Sequence, residues 1–178
     1  MLRRVTSEHA DDLRGTQEPD ASQIALTWSG EPGRLEELTH GMLLQQAERA
    51  AAAFARYGVR AGDRVAVHLP LVPESVIATL ACGRLDAIRT TLPVSLTVPE
   101  LAARIRESGT RVLITADAAF WDGSVRPVKP LLDHALARAA ATDTNGLPRT
   151  VLVVNRCSRP VSWKPGRDKW WHEALTTD

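Results

Sequence analysis

The side chains that most often do chemistry are all present in this sequence, but their spacing assembles no reactive centre. Five histidines, His9, His40, His68, His134 and His172, lie far apart, and none has a second ligand at helix-face spacing, so no metal site is expected. Asp133 and His134 are adjacent within a helical pattern, where neighbours point apart, and this removes them as a dyad. The hydroxyls of Ser108 and Thr110 have no identifiable base. Cys82 and Cys157 stand alone, without metal-ligand spacing, and read as free, buried thiols of a reducing compartment, the cytoplasm. Cradling a triphosphate requires a flexible Gly/Ser/Thr-rich loop with a lysine, so that backbone amides surround the phosphate oxygens. The run Gly123-Ser124-Val125-Arg126-Pro127-Val128-Lys129 has prolines where those amides would be needed, and Gly30 to Gly33 belongs to a turn. No catalytic residue is therefore assigned. Trp163, Trp170 and Trp171 read as packing anchors, and Asp168 as the N-cap of a helix that follows it.

The surrounding pattern is that of an α/β domain. A chain of 178 residues can bury a core without staples, and 44% hydrophobic with 24% charged residues is a globular composition. A net charge of +1 does not suit nucleic acid as a partner, and the scattered arginines read as a solvated surface. No stretch is long and apolar enough to span a bilayer, so no membrane partner is expected. Met1 to Ser22 is charged and aperiodic and is expected to be a flexible arm, with the folded lobe over 23–178. Ile24 to Trp28, the turn Ser29 to Gly33, and Arg34 to Thr39 predict a β-hairpin. Leu44, Ala47, Ala51, Phe54 and Ala55 then mark the inward face of a helix that Gly58 ends. Strands are expected at Arg64 to Leu69, Ala87 to Leu92, Val112 to Thr115 and Val151 to Val154. Helices alternate with them: one opened by Pro73 and buried on most sides, one started by the capping box Thr97-Val98-Pro99-Glu100 and stopped at Gly109, and one over Leu131 to Ala139. Alternating strands and helices with continuous apolar runs predict a three-layer αβα domain with a mostly parallel sheet.

Three segments carry a family resemblance: Gly58-Val59-Arg60-Ala61-Gly62-Asp63-Arg64-Val65-Ala66-Val67-His68-Leu69-Pro70-Leu71-Val72-Pro73-Glu74, then Val112-Leu113-Ile114-Thr115-Ala116-Asp117, then Trp163-Lys164-Pro165-Gly166-Arg167-Asp168-Lys169-Trp170-Trp171. In this order they resemble the N-terminal portion of the AMP-forming acetyl-CoA synthetases of the adenylate-forming superfamily, which read "G-(I/V)-x-x-G-D-x-V-A" and "W-x-x-G-R-D-x-W-W" at the same places. The resemblance covers roughly Ala25 to Leu175 and implies ATP, Mg and coenzyme A as the family's ligands. It also implies that the adenylate-binding motif and the mobile C-terminal domain lie beyond these residues.

At the coenzyme A surface this sequence departs from the family. Where the family carries "R-x-G-R" after the "I-T-A-D" strand, this chain has Trp121 and Ser124, with Asp122 between them, downstream of Asp117. Arg126 is the nearest replacement cation. The "F-G-G-F" turn stands as Pro93-Val94-Ser95-Leu96, and "G-A-V-H" as Asp86-Ala87-Ile88-Arg89. The candidate ligand-binding residues are therefore Asp117, Trp121, Ser124 and Arg126, with no cofactor expected for these residues alone. The resemblance implies a degenerate acetate–CoA ligase (AMP-forming) lobe, truncated and inactive alone; alternatives are a non-catalytic binding or assembly module, or one chain of a split ligase. In the family this lobe packs against a second large lobe, so a homo-oligomer or a complementary protein chain is the expected partner.

Overall fold

The computed structural model describes residues 20–176. The predicted hairpin is β1 (Ile24–Glu31) and β2 (Arg34–Thr39), with β1 running on to Glu31 instead of stopping at Trp28. The arm expected over Met1 to Ser22 lies outside the described residues up to 19; within its last residues the Ala21 carbonyl accepts the backbone N–H of Gly41 at 3.0 Å. Thr39 caps α1 (His40–Arg56), its hydroxyl accepting the Met42 backbone N–H at 3.2 Å. The inward face of α1 is Leu43, Ala47, Ala50, Ala51 and Phe54, whereas Leu44, expected inward, is 46% exposed. Adjacent leucines satisfy the same periodicity almost equally well, and packing settled on the first.

The next elements build the sheet: β3 (Arg64–His68), α2 (Pro73–Arg84), β4 (Ile88–Thr91), α3 (Val98–Ser108), β5 (Val112–Ala116), β6 (Ala118–Trp121), β7 (Ser124–Pro127), α4 (Lys129–Thr142), β8 (Thr150–Val154), β9 (Asp168–Trp170) and α5 (Trp171–Thr176). Five strands pair in the order β4-β3-β5-β8-β9, all parallel. Strand β5 is buried along its whole length, as a central parallel strand covered on both faces must be. One face is covered by α1, α2 and α5, with Phe54, Ile77, Val65, Ile114 and Leu152 among the buried residues. The other is covered by α3 and α4, with Leu101, Ile105, Leu132 and Val153. The three-layer αβα arrangement follows directly.

Capping chemistry sets α3 as the sequence indicates. The Glu100 carboxylate accepts the Thr97 backbone N–H at 2.9 Å and its hydroxyl at 2.7 Å, and Gly109 closes the helix at φ 57°. Helix α2 departs from expectation. It buries Ile77, Ala78, Ala81 and Cys82, but Val76 and Thr79 face solvent, because α2 lies on the outside of the sheet beside α1 rather than between layers.

Two further corrections concern charge and the C-terminal segment. Asp168 is not an N-cap: it begins the edge strand β9 and is buried, with its carboxylate 3.0 Å from Lys129 Nζ and 2.5 Å from Arg167 Nε. A three-residue strand carrying Asp168 and Lys169 has too little apolar alternation to be read as one. Nor are the basic residues all solvated, since Lys129 and Arg156 are buried and Arg167 is half-buried, each facing two or more carboxylates. Of the three tryptophans expected to anchor packing, Trp171 does so, buried edge-on to Phe54 at 6.2 Å, and half-buried Trp170 packs on the second core cluster, whereas Trp163, 4.7 Å from the Trp170 ring, is 38% exposed.

Candidate functional site

The sheet order reverses at β3. The chain leaves β3 for β4 by way of α2 on one face, then returns to β5, on the other side of β3, by way of α3 on the opposite face. Connections that diverge from adjacent strands open a crevice beyond their carboxyl ends, which is where open α/β sheets bind ligands. A cavity of about 650 Å³ lies there. Its walls come from Leu69 to Val72 after β3, Thr91 and Pro93 to Ser95 at the end of β4, Phe120 to Asp122 after β5, and Trp28 with Glu31 from the first hairpin.

Two hairpins frame this cavity. Trp28 is held by its indole N–H, which donates to the Leu71 carbonyl at 2.5 Å. Its ring folds over Gly30, where an added Cβ would come within 2.6 Å of the indole. The opposite hairpin, β6–β7, turns at Asp122 and Gly123, both with positive φ (50° and 72°), the two-residue turn whose twist matches that of its strands. Trp121, at its tip, is 48% exposed and lines the cavity.

The first hairpin is docked by a cluster of charges. The Arg156 guanidinium, 1% exposed, lies 3.2 Å from Glu31, 3.2 Å from Glu74 and 3.0 Å from Glu36, and its carbon sits 4.4 Å over the Trp28 ring. The contact with Glu36 is close but misaligned, so it is an ion pair rather than a hydrogen bond. Arg34 adds a second cation at 2.7 Å from Glu36 and 3.1 Å from Glu31. The sequence reading missed Arg156. The only signal for it is its place just past the carboxyl end of an apolar strand.

Of the four candidate residues, the structure brings one to the cavity. Trp121 lines it, whereas Ser124 and Arg126 lie exposed on β7, paired with Trp121 and Ala119 and outside the cavity wall. Asp117 is buried, and its carboxylate accepts the backbone N–H groups of Arg156 (2.8 Å), Cys157 (3.2 Å) and Arg159 (2.8 Å). It organises the turn after β8 and leaves no oxygen aimed at a ligand. The residues at the departures from "F-G-G-F" and "G-A-V-H" do converge here: Pro93, Val94, Ser95 and Arg89 all line the cavity. Arg89 donates from Nη1 to the Thr91 hydroxyl at 2.7 Å and from Nη2 to the Ser75 hydroxyl at 3.3 Å, while its Nε is buried without a partner.

The remaining reactive groups sit elsewhere. His68 is fully buried; its Nδ1–H donates to the Leu92 carbonyl at 2.9 Å, leaving Nε2 as a bare, unpartnered acceptor. Burial pushes its pKa down, against the opposing effect of the Leu92 hydrogen bond. His9 lies outside the described residues, His40 is half-buried, and His134 and His172 are exposed. Among the described residues no three His, Cys, Asp or Glu side chains gather as metal ligands would. Cys82 is a free buried thiol pushed up to about 11 by burial, with the Arg89 charge acting the other way. Cys157 is also free but only half-buried, because it lies on the turn beside Asp117 and not within an apolar helix.

Two ligands of the resemblance were tested against this geometry. For the 3'-phosphate of coenzyme A, the tip of β6–β7 offers indole, carboxylate and hydroxyl in place of two arginines, and Arg126 on β7 lies outside the cavity, whose lining cation is Arg89 from β4. For ATP, the glycines of the described residues that adopt positive φ close turns and helix ends one at a time and form no consecutive amide cradle. No helix of the described residues is long and apolar enough to cross a membrane.

Comparison with known proteins places these features in a family. The model of the AMP-binding enzyme family matches residues 14–175. An acetyl-coenzyme A synthetase of Streptomyces coelicolor is 37% identical over 162 residues, which is 91% of this chain and 24% of that protein. The acetyl-coenzyme A synthetase of Mycobacterium tuberculosis H37Rv is 42% identical over 154 residues (86% and 23%), and that of Vibrio cholerae 37% over 153 residues (85% and 23%). The chain thus spans about a quarter of the length of these relatives.

Proposed function

The chain belongs to the AMP-binding enzyme family, and from that premise we propose that it forms the opening portion of an acetate–CoA ligase (AMP-forming) lobe that does not activate a carboxylate by itself. The observation that carries this reading is the absence of a phosphate cradle among the described residues, together with the loss of cationic side chains at the tip of β6–β7. The ATP- and Mg-binding parts, in this reading, belong to segments beyond these residues, contributed by the same or a complementary chain. Purified protein of these 178 residues should show no acetate-, propionate- or butyrate-dependent pyrophosphate exchange. ATP-dependent hydroxamate formation above a no-enzyme control would overturn this.

A second reading, favoured by the cavity at the switch point, is a non-catalytic binding module. Its walls are well formed while the groups that read coenzyme A have changed, which is the pattern of a site turned to another ligand. In either reading the protein works in the cytoplasm, where free Cys82 and Cys157 are stable, and its macromolecular partner is protein, not nucleic acid or membrane.

A further inference from the structure

We propose that the cavity between the two hairpins binds a small, singly charged carboxylate with an apolar ring or branched body, held by Arg89; this deepens the binding-module reading and rests on it. The volume of about 650 Å³ is that of a small-molecule site. Trp28, Leu71, Val94, Phe120 and Trp121 give it apolar and aromatic walls. Among the described residues, Arg89 brings the one cationic side chain lining it.

Arg89 combines a place on the cavity wall with a missing counter-charge. Lys129, Arg156 and Arg167, also drawn wholly or partly out of solvent, each meet two or more carboxylates, and half-buried Lys169, which makes no ion pair among the described residues, lies outside this cavity. Arg89 instead donates to two neutral hydroxyls, those of Thr91 and Ser75, and its Nε has no acceptor. A guanidinium part-way out of water with an unused donor is incompletely solvated, and an anion arriving from the cavity supplies both the charge and the acceptor. The planar fork of arginine fits a carboxylate with two parallel bonds.

The charge of the ligand is limited by the rim. Glu31 and Asp122 also line the cavity; Glu31 is already paired with Arg34 and Arg156, while Asp122, at the hairpin tip, makes no ion pair among the described residues. With Arg89 and Asp122 offsetting each other in the lining, every ligand charge is excess: a phosphate dianion or polyphosphate brings two or more, whereas a monocarboxylate brings one and can place it against the Arg89 guanidinium. The aromatic walls favour a ring or branched body over a bare acetate.

The test uses the whole chain, with phenylacetate, its uncharged amide phenylacetamide, and inorganic phosphate as probes, read by tryptophan fluorescence and calorimetry. Phenylacetate should bind saturably at millimolar concentration or below, the amide about tenfold or more weaker, with phosphate unable to compete. Arg89→Gln should erase the preference for the acid, and Val94→Trp, which fills the cavity, should weaken both ligands. The acid–amide comparison is made on the unmodified chain and stands even if a variant fails to fold. Equal binding of acid and amide would overturn the role of Arg89 while leaving the binding-module reading intact. Competition by phosphate would overturn the carboxylate assignment alone, and binding of neither probe would overturn both.

Discussion

His68 is the residue where burial and titration meet most directly. It closes β3 with no exposed surface, and one nitrogen is committed to the Leu92 carbonyl, so protonation would place a charge in a packed interior. Its folded pKa lies below the ordinary value, burial being the larger cause. The sign follows: in the unfolded chain the ring takes a proton near pH 6.5, before the folded protein does, so the unfolded state gains relative stability as pH falls. Stability due to His68 is therefore complete above about pH 6.5 and is lost between there and its lowered folded value. Denaturant titrations in steps from neutral pH downward should show a falling midpoint, and His68→Gln should flatten it by up to about 1.36 kcal/mol per pH unit. A variant with the same slope as the parent would show that another group governs acid stability. Asp168 does not confuse the window. Burial acts to raise its pKa, but the hydrogen bonds from Arg167, the Lys164 backbone and Lys129 outweigh it, so its own contribution is lost only below the usual carboxylate range.

At the scale of elements, the hairpin β1–β2 is held both by the apolar packing of Leu26, Trp28 and Leu38 and by a charge cluster. Glu31 and Glu36 come from the hairpin, Glu74 from the first turn of α2, and Arg156 from the segment after β8, so one guanidinium ties three pieces of chain together. Removing it leaves three carboxylates with Arg34 as the nearby cation. Arg156→Met should cost about 3–5 kcal/mol, the range for breaking a buried ion pair from one side. It should also free Trp28, whose ring lies under the guanidinium, raising its solvent quenching. A loss under about 1 kcal/mol, within the range of exposed pairs, would show the cluster to be incidental.

The same elements show what was legible in advance. Helix α3 was readable because Thr97, Glu100 and Gly109 act locally, and β5 and β8 because a covered parallel strand must be continuously apolar. The hairpin β6–β7 is not legible despite Asp122-Gly123, a strong turn signal, because its strands are four residues each and β7 is exposed throughout and ends in Pro127, leaving no apolar alternation beside the turn. Strand β9 was missed because Asp168 is buried by its partners Lys129 and Arg167, which are distant in sequence or unremarkable beside it. At the site, Trp121 was legible from its position, while Arg89 gains meaning only when Ser75, Thr91 and the cavity are seen around it. Local rules survive reading from sequence; partnerships across the fold do not.

At the scale of the molecule, the apolar residues left on the surface bear on association. Leu71 is 91% exposed, Leu35 64%, Ile24 55%, Ile88 50% and Trp121 48%. Leu71 and Trp121 both border the cavity, and Leu35 and Ile24 lie on the hairpin that forms one of its walls, so several belong to one side of the molecule. Contiguous apolar patches beyond a few hundred Å² are uncommon on monomers and mark interfaces or association hazards. As an isolated chain the protein should therefore self-associate, and Leu71→Glu should reduce that association by placing a charge at its most exposed apolar point. Sedimentation velocity over a range of concentrations, with binding of a hydrophobic dye alongside, reads both. A strictly monodisperse monomer that binds no dye at high concentration would overturn the expectation, since it would mean that the polar groups sharing the cavity rim with Leu71, among them Glu31 and Asp122, already keep this face in water on its own.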